Sequence, residues 1–348
     1  MKQATTFSCA ILAAVLSLIV GTAPTAAQDY AEALRSRNFT ILVGSPPGGS
    51  YDLYARAIAR HIGRHLPGQP SVITRHLPGG GGYEAVNLLA NSVAKDGTTI
   101  ATFSRGVPMQ PLVDTSGVHF DPLQLQWIGS PSNEVGLGIS WHTSPFKTFA
   151  DIAGKGMAVG TTGPATDSNV FPRVIANVTG APLKMVSGYR GAADILLAVE
   201  RGEVDGAFGI SWSSLWPNRK DWVESGKLNY IVQLALEQGP AQLKGVPLVL
   251  DLATNDEQRR VLEVVFARQT VAYPYAAPPG MPTDRLATLR AAFVATLEDP
   301  QFLAEASKAG MSVKPVSGNR VAEIIAKVYA SPPALIERVK AAMAVPVK

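Results

Sequence analysis

Cysteine is almost absent: Cys9 is the only one among 348 residues. It falls inside "CAILAAVLSLIVG", residues 9–21, the one long apolar run of the chain. Lys2 precedes that run, and "APTAA" then places Thr25 and Ala27 at small-residue positions. This is the pattern of a cleaved export leader over residues 1–27, with cleavage after Ala27 and a periplasmic product. The run is also short of the ~20 apolar residues of a membrane span. The exported chain would hold no cysteine, which excludes disulfides, thiolate nucleophiles and cysteine-ligated metal. Its stability must come from a core, and roughly 320 residues suffice for two domains. Excess charge of one sign is missing too. Without Lys2, 30 basic residues face 27 acidic ones, and no Lys/Arg cluster forms a phosphate-binding stripe. Nucleic acid is not an expected partner, and attraction for anions is mild.

The motifs of catalysis are also missing. "PPGGSYD" has no lysine and so is not a P-loop, and "GGGGYEA" puts Glu84 where a dinucleotide fingerprint needs glycine. His61 and His65 have i, i+4 spacing, but Ile62 stands where a zinc protease carries glutamate; both read as solvated histidines. "GISWS" ends in Ser213 instead of the glycine of a nucleophile elbow. "SPFK" (Ser144 to Lys147) lacks the companion motifs of penicillin-binding enzymes. No nucleophile–base pair, metal motif or cofactor motif remains. The chain reads as a binder.

What is present is alternation. "NFTILVG" reads as a strand, with Leu53, Ala57, Ile58, Ile62 and Leu66 along one face of the next helix. "PSVITRHL", the corner "LPGGGG", the helix "YEAVNLLANSVA" and the strand "TTIATF" follow. This is βαβαβ, the pattern of a mainly parallel sheet covered on both faces. After a Pro-, Gly- and Ser-punctuated stretch over residues 106–133, "GMAVG", "LKMVSGY", "EVDGAFG" and "NYIVQLAL" restart the alternation. Pro172 is expected in the first turn of its helix, so that helix should begin late. Three helical periods, "TNDEQRRVLEVVFAR", "PTDRLATLRAAFVATLED" and "NRVAEIIAKVYA", mark the C-terminal part.

Each α/β unit opens with a glycine corner. A corner at the C-terminal end of a parallel strand aims the next helix's free N–H groups, and its dipole, at a cleft. Gly48 and Gly49 would let the backbone approach a ligand, Gly49 most closely and in a conformation that a β-branched residue resists. Ser50 would cap the helix or donate its hydroxyl. Two units facing each other could close over a small anion.

The motifs resemble a family, the Bug or TctC-like extracytoplasmic solute receptors of tripartite tricarboxylate transporters. "VGSPPGGSYDLYAR" is similar to that family's opening signature, with Asp52 and Arg56 in register. "LPGGGG", "KDGTTIATFS", "GTTGPATDS", "YRGAADILLAVERGEVD", "ESGKLNYIVQLA" and "YAAPPGMPTDRLATLRAAF" resemble later blocks, covering nearly all of the exported chain. The resemblance implies a type II periplasmic-binding fold, a Venus flytrap of two α/β domains with the ligand cleft between them. Residues 28–133 plus 237–348 would form the first domain and residues 134–236 the second. It also implies a monomer that hands a small organic acid to membrane permease subunits. Ser45, Pro47, Gly48, Gly49 and Ser50 would line the cleft from the first domain. Thr162, Thr166, Tyr189, Arg190 and Gly191 would line it from the second, with Arg105 and Arg190 supplying charge.

Departures from the pattern bear on the ligand. Ser45 stands where the family has a bulky aromatic before Pro-Pro, and Trp212 in "FGISW" is a candidate substitute. Ala165, Asn169 and Gly188 replace a glycine, a histidine and a proline. Dicarboxylate, tricarboxylate, aromatic acid and amide all stay open as ligands. Two rival functions use the same scaffold: a ligand sensor reporting to a membrane signalling protein, and an exported hydrolase.

Overall fold

The computed structural model describes residues 26–163 and 166–344. The expected leader over 1–27 lies almost wholly outside the described residues, as does Ala165. Eleven strands are described: β1 (Phe39–Val43), β2 (Val72–His76), β3 (Thr99–Thr102), β4 (Gln126–Ser130), β5 (Gly136–Trp141), β6 (Met157–Thr161), β7 (Leu183–Ser187), β8 (Gly206–Ser211), β9 (Leu228–Leu234), β10 (Tyr275–Ala277) and β11 (Val316–Ser317). They form two sheets, ordered β11-β4-β10-β3-β1-β2 and β7-β6-β8-β5-β9.

The two sheets share a plan. β1 runs parallel to β2 and β3, and β6 runs parallel to β7 and β8. Each sheet also holds an interior strand antiparallel to its neighbours, β10 between β3 and β4 and β5 between β8 and β9, and β11 pairs antiparallel with β4 at the edge of the first sheet. β5 and β10 are each the first strand that the chain lays down after crossing from the other sheet. Two crossings between strands build a two-domain α/β architecture, and the chain passes to the second unit once more at helix Pro333–Met343.

The crossings lie side by side. Glu134 N–H donates to the Gln269 carbonyl at 2.8 Å, and Ala272 N–H donates to that of Ser132 at 3.2 Å. Tyr273 N–H donates to Ser130 Oγ at 3.0 Å.

Apolar strands buried on both faces explain the layering. Phe39, Ile41 and Val43 of β1 pack beneath the helices Ser50–Ile62, Thr283–Glu298 and Pro300–Lys308, while Leu42 faces the helices Tyr83–Asn91 and Gly318–Tyr329. In the second sheet, Val159 and Phe208 pack with helix Asp167–Thr179, and Leu137 and Ile139 with helix Ala192–Glu200. The helices Asp256–Phe266 and Pro333–Met343 join the core of the second sheet, through Val261, Leu262, Val265, Phe266, Val339 and Ala342.

Several expectations change. Helix Asp167–Thr179 starts five residues before Pro172, which sits inside the helix and not in its first turn. The missing N–H at Pro172 removes one backbone bond, and burial of Val170, Phe171, Val174 and Ile175 outweighs that loss. Leu53 is 40% exposed although it follows the apolar period of its helix. His61 is buried, not solvated; its Nε2 lies 2.8 Å from Glu305 Oε2. His65 Nε2 pairs with Asp299 Oδ2 at 2.9 Å. Both histidines tie helix Ser50–Ile62 and the turn after it to helix Pro300–Lys308 and its cap, Asp299.

Candidate anion-binding cleft

The first corner follows β1. Gly44 ends the strand where a Cβ would lie 2.9 Å from Gly82 Cα, so the two glycine corners press against each other. Gly48 has φ +91°, which L side chains rarely adopt, and Gly49 is the N-cap of helix Ser50–Ile62. Ser50 is therefore the first helical residue, not the cap. Gly49 itself has φ −86° and ψ 173°, and an added Cβ meets nothing within 4 Å. The backbone conformation expected at Gly49 to resist a β-branched residue is corrected: that demand falls on Gly48. Gly49→Ala is expected to change stability by no more than about 0.5 kcal/mol. Gly48→Ala is expected to cost about 1–2 kcal/mol. Urea titration of the two variants checks this, and a larger loss at Gly49 would reverse the assignment.

The corner serves itself before any ligand. Gly48 N–H donates to Asp52 Oδ2 at 2.8 Å, and Asp52 Oδ1 lies 2.7 Å from Arg56 Nε and 2.6 Å from His76 Nε2. Burial works to raise the Asp52 pKa, but those three bonds prevail and hold it below the usual value. Ser45 Oγ, at the start of the corner, is buried and has no hydrogen-bond partner among the described residues.

The second unit's loop is rich in hydroxyls. Thr162 Oγ1 lies 2.7 Å from Thr166 Oγ1 and 2.8 Å from Ser168 Oγ, and Thr166 caps helix Asp167–Thr179. Tyr189 and Gly191 are half-buried before helix Ala192–Glu200. Arg190 is different. Its side chain is 91% exposed and pairs with Asp194, Nε to Oδ2 3.0 Å. Trp212 stacks on Trp216 at 5.4 Å and 20° and packs on the core of its own sheet.

Between the sheets lies a compact charged group that no motif announced. Arg105, two residues past Phe103 at the end of the first sheet, reaches Asp167, the first residue of helix Asp167–Thr179. Arg268 approaches the same carboxylate, Nη1 to Oδ1 3.8 Å, and its guanidinium stands 5.6 Å from the Phe171 ring centre. Both arginine side chains are 10% exposed and Asp167 is 21% exposed. Burial is the largest single influence and opposes the charge on Arg105, but Asp167, Tyr51, Glu134 and Tyr273 together outweigh it and raise the pKa above its ordinary value. Burial pushes Arg268 the other way, against the pull of Asp167. Arg105 Nε is buried without an acceptor among the described residues.

Glycines make this group possible. A Cβ on Gly106 would lie 3.1 Å from Arg268 Nη1. On Gly209, in β8 with φ +82°, a Cβ would lie 2.6 Å from the Asp167 carbonyl carbon and oxygen. Tyr51 O–H accepts from Arg105 N–H at 2.9 Å, and its ring meets Tyr273 edge-on at 5.1 Å. Glu134, on the outward crossing, accepts from Ser213 N–H at 3.3 Å and from its hydroxyl. Burial pushes the Glu134 carboxyl above the usual range, against Arg105 and the Ser213 bonds.

A cavity of about 350 Å³ is lined by Gly48, Gly49 and Ser50 from one unit and Ser213 and Ser214 from the other, with Tyr273 at the crossing; the bond from Ser213 to Glu134 links it to the charged group. The structure thus brings Gly48, Gly49 and Ser50 to a cavity, and Arg105 to the loop of Thr162 and Thr166. Arg190 and Trp212 do not reach the charged group. Asp167, Arg268, Glu134 and Tyr51 went unnoticed in the sequence; the only hint was an isolated charge at the edge of an apolar run for Glu134 and Arg268.

No protein-family model matches the chain. The UPF0065 protein in gbd 5'region of Cupriavidus necator is 25% identical over 339 residues, 95% of this chain and 96% of that protein. BugT of Bordetella pertussis is 37% identical over 98 residues, 28% of this chain and 29% of BugT. A TctC solute-binding protein from Polaromonas superposes with a TM-score of 0.68 at 19% identity, over 87% of this chain and 99% of that one. The fold of this chain is Bug/TctC-like. Within that Bug/TctC-like fold, malate-bound MatC from Rhodopseudomonas palustris matches at a TM-score of 0.60 and 18% identity, over 88% of this chain and 99% of MatC. A protein of the same organism solved with adipate matches at 0.61 and 18%, over 88% and 97%.

Proposed function

We propose that this chain is a periplasmic solute-binding receptor that captures a small carboxylate and presents it to the permease subunits of a tripartite tricarboxylate-type transporter. One observation carries the reading: two guanidinium groups buried between the sheets share one aspartate, and Arg105 Nε lacks an acceptor among the described residues. A buried donor without a partner costs about 1–3 kcal/mol, and a ligand carboxylate would supply its acceptor. The malate and adipate held by the two proteins of the same fold support this chemistry. We place the exported start after Ala27 and the ligand between the two units. Residues 28–133 and 267–332 move with the first sheet in this scheme. Residues 134–266 move with the second, together with helix Pro333–Met343, because that helix packs on the second core. Thr162, Thr166 and Ser168 face the ligand from the second unit in this scheme, and Ser45 from the first.

A thermal-shift screen of organic acids tests the reading. At a ligand concentration 100 times Kd, binding to the folded form adds about 2.7 kcal/mol of stability. A rise in melting temperature with at least one organic acid and none with neutral sugars is expected. Shifts with sugars and silence from every acid would overturn it.

A further inference from the structure

The charges around Arg105 say more than that an anion fits. Asp167 already occupies the N-terminal end of helix Asp167–Thr179, where the helix dipole favours a carboxylate. It also bridges toward both arginines, one by hydrogen bond and one at 3.8 Å. Glu134, buried and bonded to Ser213, adds a carboxyl that acts on Arg105. The resident groups are therefore two guanidiniums, one carboxylate bound to them and a second carboxyl. A single incoming carboxylate meets Arg105 Nε and leaves the group near balance. A second carboxylate on the same ligand would meet only Arg268, whose charge Asp167 already offsets from 3.8 Å, and the hydroxyls of Thr162, Thr166 and Ser168 are bonded among themselves. It would stand beside Asp167 in a water-poor space, where like charges repel most strongly.

We propose that the cleft is selective for monocarboxylates, with Asp167 acting as the specificity-determining residue that rejects a second carboxylate. This rests on the receptor reading above. In effect Asp167 plays the part of an internal second acid, holding the helix N-terminus that a diacid's far end would otherwise take.

The test is isothermal titration of the purified protein with matched pairs of equal carbon count: butyrate and succinate, hexanoate and adipate. The wild-type chain should bind the monoacid of the better pair at least tenfold more tightly than its diacid. Asp167→Asn keeps the size of the side chain and removes its charge, so that ratio should fall to near one or reverse. A diacid preferred by the wild type overturns the inference while leaving the receptor reading intact, and so does an unchanged ratio in a folded Asp167→Asn protein. Binding of neutral solutes with none of any acid overturns both. If Asp167→Asn does not fold, the wild-type ratio alone decides.

Discussion

Arg105→Met is expected to reduce organic-acid affinity about a hundredfold or more and to destabilise the protein by about 3 kcal/mol. Two causes combine. Hydrogen bonds to charged groups contribute about 1.5–3 kcal/mol each, and the variant removes both the one proposed from Arg105 Nε and the buried positive charge behind it. The variant also leaves Asp167 facing the inter-sheet space without its main partner, and breaking a buried pair from one side costs about 3–5 kcal/mol. Asp167 is 21% exposed and Arg268 stays 3.8 Å away, which places the loss at the low end of that range. Titration calorimetry reads the affinity and urea denaturation the stability. Arg105→Lys should fall between, since it restores charge without the Nε–H donor. Undiminished affinity in a folded Arg105→Met protein would remove this guanidinium from the ligand's surroundings.

Gly209→Val is expected to disturb the same site from behind. Gly209 has φ +82°, and its Cβ would lie 2.6 Å from the Asp167 carbonyl and 2.8 Å from Ser168 N. A left-handed conformation costs an L residue about 1–2 kcal/mol, and a β-branched side chain more. Overpacking adds about 1–3 kcal/mol, because backbone, not a flexible side-chain end, must move. The first turn of helix Asp167–Thr179 would shift and carry Asp167 off Arg105. A lowered melting temperature together with weakened acid binding is the expected result. Stability and binding both at wild-type level would mean that the helix start is not held by Gly209.

The strands and helices with strong periods were readable residue by residue. β1 falls within "NFTILVG", and all but one residue of β6 and of helix Gly318–Tyr329 fall within "GMAVG" and "NRVAEIIAKVYA". Short strands that depend on distant partners were not. β10 has three residues and exists because β3 and β4 flank it, and β4 lies in a stretch that reads as turns. Pro172 misled because local propensity was outweighed by the apolar residues packed around it.

The site divides along the same line. Sequence alone determined the two glycine corners, the resemblance to the Bug and TctC receptors, and Arg105 as a candidate, since each is a matter of local spacing. It also led to an overestimate of Arg190, which sits next to a glycine turn but points into water. Only the tertiary structure brought Asp167, Arg268 and Glu134 to Arg105, because those residues come from three separate segments joined by the two chain crossings. A buried charge is costly alone and tolerable when paired, and the pairing partner lies 62 residues away from Arg105 along the chain. Periodicity reports which face of an element is apolar; it carries no information about which polar groups two elements from opposite sheets will share.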